Sequence, residues 1–258
     1  MGRYEEASSS WGRIKTLYME IQHDKCAYCE RQLASADHGG TIEHDVEHYR
    51  PKNGVKKWPS EAITRERGLS YRFSTGDELP EGYFLLAYHL FNYATACKKC
   101  NSPLKANYFP IAGDRRAQSD DPDSLRGEKP FLLYPIGDLD EDPEEILTFI
   151  GINPVPRVKS GPRQRRARVT IDFFELDGRE ELWRERAEKI LSVFIALELM
   201  RTGEDENRDL ARDTVEVLLA SSRPHSNCGR SFRALYLEDR SLARRIAESA
   251  REYLASQS

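Results

Sequence analysis

Apolar positions along the chain fall into two regimes. From Gln164 to the C-terminus they recur mostly at helical spacing. Ile171, Phe174, Leu182, Ile190, Phe194, Leu197 and Met200 supply apolar faces, and Glu, Arg and Ala fill the positions between. The opening 25 residues predict one more helix, with Trp11, Ile14, Leu17, Tyr18 and Ile21 at helical spacing after a serine run. Between these regions the pattern breaks. The polar, charged residues 53–82 predict a long loop or insertion, and the Asp-, Arg- and Pro-rich residues 113–130 mark a boundary. Phe131, Leu132, Leu133 and Tyr134 predict a short buried strand, and Ile146, Leu147, Thr148 and Phe149 a second. The expected organisation is an N-terminal helix with a compact core (1–112), a connecting segment (113–163) and a helical C-terminal region (164–258). No internal repeat interrupts it.

Charge changes the picture more than composition does. A chain of 258 residues with 39% hydrophobic and 32% charged residues can bury a core. Its net charge of -4 excludes a uniformly basic nucleic-acid binder, so a polyanion would need a local patch. One run offers it: Arg157, Lys159, Arg163, Arg165, Arg166 and Arg168, with no acid among them. It reads equally as a solvated face or as a contact for nucleic acid or an acidic partner. The longest apolar stretches, residues 83–90 and 190–197, fall far short of a membrane span. MGRYEEASSS lacks the apolar core of a signal peptide, and Glu6 stands where myristoylation needs Ser or Thr. A cytoplasmic protein without a membrane partner is expected. Thiols stay reduced there, so paired cysteines point to metal before disulfide.

Four of the five cysteines form two C-x-x-C pairs, Cys26/Cys29 and Cys97/Cys100. Two intervening residues let a tight knuckle place both thiolates on one ion, and two knuckles complete the tetrahedral shell of structural zinc. Between the knuckles lies EHDVEHYRPK, residues 43–52, with Asn92 before the second pair and Asn101 directly after it. An imidazole suits the activation of water near pH 7. A carboxylate and an amide oxygen suit a hard divalent cation such as magnesium or manganese. That donor set is what phosphodiester hydrolysis requires.

These residues carry a specific resemblance. His48-Tyr49-Arg50-Pro51, preceded by Glu47, resembles the acid-His-x-x-Pro signature of HNH, or ββα-metal, nucleases. Asn92 is similar to their middle asparagine, and Cys97-Lys98-Lys99-Cys100-Asn101 with Lys105 to their C-x-x-C-N-x-x-x-K variant. The order of knuckle, acid-His, knuckle and Asn also resembles the phage Holliday-junction resolvase of that fold. CAYCE, IEHDVEHYRPK, GYFLLAYHLFNYATACKKCN, YFP, EKPFLLYP, DEDPEEILTF and RRARVTIDFFELDGREEL resemble the HNH subunits of Septu-type and retron-linked anti-phage systems, over roughly residues 25–185.

The resemblance implies an α+β fold: a ββα-metal core stapled by zinc at Cys26, Cys29, Cys97 and Cys100, with a mostly helical C-terminal half. It implies an endonuclease in which His48 is the general base. Glu47 and Asn101 would bind magnesium or manganese, and Asn92 would brace the loop carrying His48. Arg50, Lys52 and Lys105, with Arg163, Arg165 and Arg166 of the basic run, are candidate phosphate contacts. DNA is the favoured substrate, with an RNA such as tRNA second, and an ATPase the implied partner. A rival class is a non-catalytic zinc module that binds nucleic acid or a protein. The chain departs from the wider pattern in having Glu47 where Asp is common. It also carries a second pair, Glu43-His44, and a longer interval from His48 to Asn92. Among the remaining motifs, His23, His38 and His89 read as structural or exposed, and His225 with Cys228 as too few ligands for a metal. Tyr83, Phe84, Tyr88, Phe91 and Tyr93 read as core around the zinc.

Overall fold

A computed structural model describes residues 11–116, 119–134 and 136–257. The N-terminal decapeptide, and with it the readings of MGRYEEASSS and Glu6, lies outside the described residues. Among the described residues the protein is α+β and mostly helical, with two small two-stranded antiparallel sheets. Helix α1 (Trp11–Ile21) leads to the first cysteine knuckle, and a single turn, α2 (Gly40–Glu43), runs into strand β1 (His44–His48). Helix α3 (Glu61–Arg67) lies in the interval before β2 (Tyr93–Cys97), which pairs with β1. A wide helical turn, Cys100–Lys105, follows β2 directly. The turn α4 (Pro143–Ile146) and the hairpin β3 (Leu147–Ile150) and β4 (Asn153–Pro156) come next. The helices α5 (Gly161–Phe173), α6 (Glu180–Thr202), α7 (Asp205–Leu219), α8 (Ser226–Glu238) and α9 (Arg240–Ser256) follow. Among the described residues no helix is long and apolar enough to cross a membrane.

Two hydrophobic clusters fill the interior. The first joins the four paired cysteines to Tyr49, Trp58, Tyr83, Phe109 and Phe131, and extends to Phe173, Phe174 and Leu182. The second lies among α6, α7, α8 and α9 and begins at Ala187. The boundary between the two clusters falls within α6, and the buried residues of α5 belong to the first. Arg186 sits at that division, almost wholly buried. It donates to the Leu176 carbonyl at 2.6 Å and the Ile152 carbonyl at 3.2 Å, and its guanidinium lies 5.1 Å from the Phe149 ring centroid.

Several sequence-based expectations change. Among the described side chains of α1, which begin at Ile14 and so leave out Trp11, Tyr18 and Met19 are buried, while Leu17 and Ile21 are exposed. A polar neighbour explains the orientation. The Gln22 amide accepts from Thr95 N at 2.7 Å and donates to Thr95 O at 2.8 Å, binding the end of α1 to β2 as an extra strand would. Residues 53–82 are a packed insertion. Trp58 within them is buried, Val55 bridges to Leu79, and Ser60 caps α3 by accepting from Ile63 N. Residues 131–134 are all buried but form no strand, because Tyr49 and Thr170 side chains bind the Leu132 and Phe131 carbonyls instead. The second expected strand is displaced by one residue into β3 and gains β4 as a partner. Tyr83 and Tyr93 are core, whereas Tyr88 and Phe91 are exposed.

His225 and Cys228 face separate partners. His225 Nε2 lies 2.8 Å from Glu185, and Cys228 Sγ donates to the Gly151 carbonyl at 3.6 Å. Burial holds the His225 imidazole below its usual 6.5, against the opposing pull of Glu185. The fold thus favours neutral His225, a contribution fully present above pH 6.5 and lost as pH falls through the lowered value. The urea midpoint of the wild type should drop between pH 7.5 and pH 5.5. His225→Asn, which tolerates the left-handed backbone there (φ 51°), should show a smaller drop. An equal drop in the variant would assign the acid sensitivity to other groups.

Candidate functional site

The two knuckles converge. Cys26, Cys29, Cys97 and Cys100 are all buried and free of disulfides, and their Sγ atoms lie within 4.8 Å of one another. A zinc tetrahedron with Zn–S bonds of about 2.3 Å separates its sulfurs by roughly 3.8 Å. Cys29 and Cys97 sulfurs stand 3.9 Å apart, so the donor set fits, and these four cysteines could hold a zinc ion. The surrounding donors suit thiolates. Cys97 N–H donates to Cys26 Sγ at 3.3 Å, and buried Arg179, at the start of α6, donates to Cys100 Sγ at 3.2 Å. The first knuckle is also tied to the C-terminal helices. Glu30 accepts from the backbone and hydroxyl of Ser226, which opens α8, and Arg31 pairs with Glu185 of α6 at 2.7 Å.

Strand β2 begins opposite His48 and ends at Cys97, which is in register with His44. The ladder is regular from His44 to His48, so side chains alternate between faces. His44 and His48 share one face with different surroundings: His44 is wholly buried, and His48 reaches an open cleft. That cleft, about 810 Å³, is lined by Asp45, Glu47, His48, Lys52, Asn101, Lys15 and Lys98 among others. His48 Nε2 lies 3.1 Å from the Ala87 carbonyl, and its ring meets Tyr93 edge-on at 5.1 Å. A carbonyl only accepts, so Nε2 carries the proton and the lone pair is on Nδ1.

Asp45 and Glu47 project from the opposite face toward the Cys100–Lys105 turn. Asp45 Oδ2 accepts from Asn101 Nδ2 at 3.1 Å, and Lys98 pairs with Asp45 Oδ1. Glu47, only 5% exposed, forms an ion pair at 2.9 Å with Lys105, which is completely buried. Burial pushes the Glu47 carboxyl up to about 7, and the Lys105 ammonium opposes that rise. Lys105 also donates to the His48 carbonyl at 3.3 Å, so the pair supports the strand that presents the imidazole.

Asn92 closes the loop behind His48. Its backbone carbonyl accepts from Tyr49 N at 2.9 Å, continuing the β1–β2 ladder by one rung. Its side-chain oxygen accepts from Arg50 N at 2.7 Å, and its amide donates to the Arg50 carbonyl at 3.0 Å and the Leu86 carbonyl at 3.2 Å.

The structure thus brings His48, Glu47, Asn101 and Lys52 to one cleft, with Asn92 beneath it. The other proposed phosphate contacts point elsewhere. Arg50 is buried between the Tyr83 and Phe109 rings and ion-paired with buried Glu128, and Lys105 is committed to Glu47. Neither cation meets the cleft, because a buried charge requires a close partner of opposite sign. Arg163, Arg165 and Arg166 line a separate cavity of about 690 Å³. The basic run is acid-free in sequence but not in space. Arg163 pairs with Glu141 at 2.6 Å, Arg166 with Asp140 at 2.5 Å, and Arg168 with Asp172 at 2.5 Å. Asp45, Lys98, Glu128 and Arg179 went unread in the sequence. Alternation from Glu47 would have indicated Asp45, whereas Glu128 and Arg179 come from far along the chain without a local signal.

Over 175 residues the chain is 31% identical to the Septu protein PtuB of Bacillus mycoides (strain KBAB4). The match takes in 67% of this chain and 50% of the relative, so the chain spans about half the relative's length. No protein-family profile matches the chain, and no solved structure does.

The thiolate cluster should hold one zinc per chain by elemental analysis, and Cys26→Ser should abolish that stoichiometry. Arg179→Met should keep one zinc but weaken its retention against a chelator by about tenfold or more, the scale at which groups bonded to a metal's ligands act. Full retention by Cys26→Ser would remove the cluster as the binding site.

Proposed function

We propose that the chain is a metal-dependent endonuclease of the HNH class, built on a ββα-metal core and acting in a Septu-type anti-phage system. The observation that carries this reading is the meeting of an imidazole, an amide and a carboxylate in one cleft, on two strands and a helical turn fixed by the cysteine cluster. The likeness to Septu protein PtuB supports the defence setting. By the same likeness the chain works beside a partner protein, which we take to be an ATPase. DNA is the favoured substrate and RNA the alternative, since a site that reads a phosphodiester does not by itself distinguish them.

In this reading His48 Nδ1 takes the proton of the attacking water, while the Ala87 carbonyl fixes the tautomer and ring orientation. Asn92 holds the following loop so that the imidazole stays aimed into the cleft. Asn101 and a carboxylate of β1 supply hard oxygen donors, the motif position being that of Glu47. Bound there, a magnesium or manganese ion would stabilise charge developing on the phosphate and the leaving 3′ oxygen. Lys52 and Lys15, which both line the cleft, would meet the substrate phosphates. The products would carry 5′-phosphate and 3′-hydroxyl ends. The cysteine cluster takes no part in the chemistry and holds the geometry.

Cleavage of DNA and RNA with magnesium or manganese tests this. His48→Ala should lower the rate by about 10²- to 10⁴-fold with zinc content unchanged, the usual range for losing a general base. Asn101→Ala should act through the cation, with activity partly restored by raised manganese. His44→Ala should cost stability, because His44 is a core side chain, and spare the rate per zinc-loaded molecule. Nucleic-acid binding without cleavage by the wild type would favour the non-catalytic module. Normal cutting by His48→Ala would sink the HNH assignment.

A further inference from the structure

A cavity of about 380 Å³ lies between the first cysteine knuckle, strand β3 and the start of α8. It shares no lining residue with the cleft that holds His48. Leu147 and Leu176 of the first hydrophobic cluster line it, together with Phe149, which packs against the second. The cavity therefore sits where the two cores meet, a junction of the kind at which small-molecule sites gather.

Three cations from Lys and Arg line this cavity, and two of them are matched. Lys25 pairs with Glu30 at 3.5 Å, and Arg230 pairs with Glu144. The third, Arg186, is only 2% exposed, and among the described residues no carboxylate pairs with it. Its hydrogen bonds to the Leu176 and Ile152 carbonyls both leave from Nη1, and Nε has no acceptor. A buried charge without a counter-ion is costly. The Nε–Nη2 edge of a guanidinium is shaped to take both oxygens of one carboxylate. The remaining acid of the lining, Asp142, is exposed and caps α4 by accepting from Glu144 N at 2.9 Å. One positive charge is thus left over inside, beside apolar walls.

We propose that this cavity binds a small monocarboxylate with an apolar body. Its carboxylate would lie along the Nε edge of Arg186 and its body against Phe149, Leu147 and Leu176. A doubly charged anion fits less well, because Glu30 and Glu144 also line the cavity and the other two cations are committed to them. The occupant would touch the first knuckle and the start of α8 at once, and so tie the cysteine cluster to the C-terminal helices.

The test is calorimetric titration of the zinc-loaded full chain with 3-phenylpropionate and with octanoate. At least one should bind at one per chain with a Kd below about 5 mM, and the uncharged 3-phenylpropionamide about tenfold or more weaker. Arg186→Met should weaken carboxylate binding about tenfold or more. Because that variant also loses two bonds to carbonyls, a second leaves Arg186 intact. Ala27→Leu fills part of the cavity and should weaken binding by a similar factor, with zinc content and melting temperature unchanged. His48→Ala should bind as the wild type does, so the site stands or falls apart from the nuclease reading. The proposal is overturned if neither carboxylate binds, if the amide or inorganic phosphate binds as tightly, or if Ala27→Leu keeps wild-type affinity.

Discussion

Four thiols brought within 4.8 Å of one another in a buried pocket constrain almost every other element. Cys26 and Cys29 follow α1, Cys97 ends β2 and Cys100 opens the turn that carries Asn101. A single tetrahedral ion held there would set the distance between the N-terminal knuckle, the two-stranded sheet and the turn beyond it. The influence extends outward through Arg179, which joins Cys100 to the start of α6, and through Glu30, which joins the first knuckle to α8. A sheet of only two strands is marginal by itself, and an ion at the cluster would add to the support it receives from the surrounding core.

Charge is handled with the same reliance on distant partners. The cations that a linear reading would place on the surface are mostly consumed inside the molecule: Arg50 by Glu128, Lys105 by Glu47, Arg166 by Asp140. Glu128 also accepts from the Tyr83 hydroxyl and Arg116 N, so one buried carboxylate joins four separate stretches of chain. Lys15, Lys52 and Lys98 line the cleft beside Asp45 and Glu47, and Lys98 is paired with Asp45.

Local signals were legible in the sequence and long-range ones were not. The C-x-x-C spacing announces each knuckle because its geometry is decided within four residues, and the helical period from residue 164 onward becomes four long helices and most of α5. Helix α3 has a capping Ser60 and a terminal Gly68 in the left-handed region, but buries no side chain, so it leaves no apolar period to detect. Strand β4 is hidden by Pro154 and Pro156, residues that ordinarily argue against a strand and are accommodated here at a sheet with only two members. The helical spacing near the N-terminus becomes α1, and a glutamine beyond it, not an apolar residue, ties its end to β2. The ion pairs of the basic run span up to 26 positions along the chain, beyond any window in which charge patterning is read.

The bonds that Asn92 makes to Tyr49 and Arg50 have a consequence for how such a chain can change over generations. They close the interval between the two strands at its base, so whatever lies between is an excursion with fixed ends. Lengthening a closed excursion costs little, since the entropy of closure grows only with the logarithm of its length. Material added at α3, which buries no side chain, alters the outer surface while His48 keeps its position relative to Asn101. The interval holding Trp58 and α3 is thus a place where lineages can diversify what surrounds the cleft without reinventing the cleft itself.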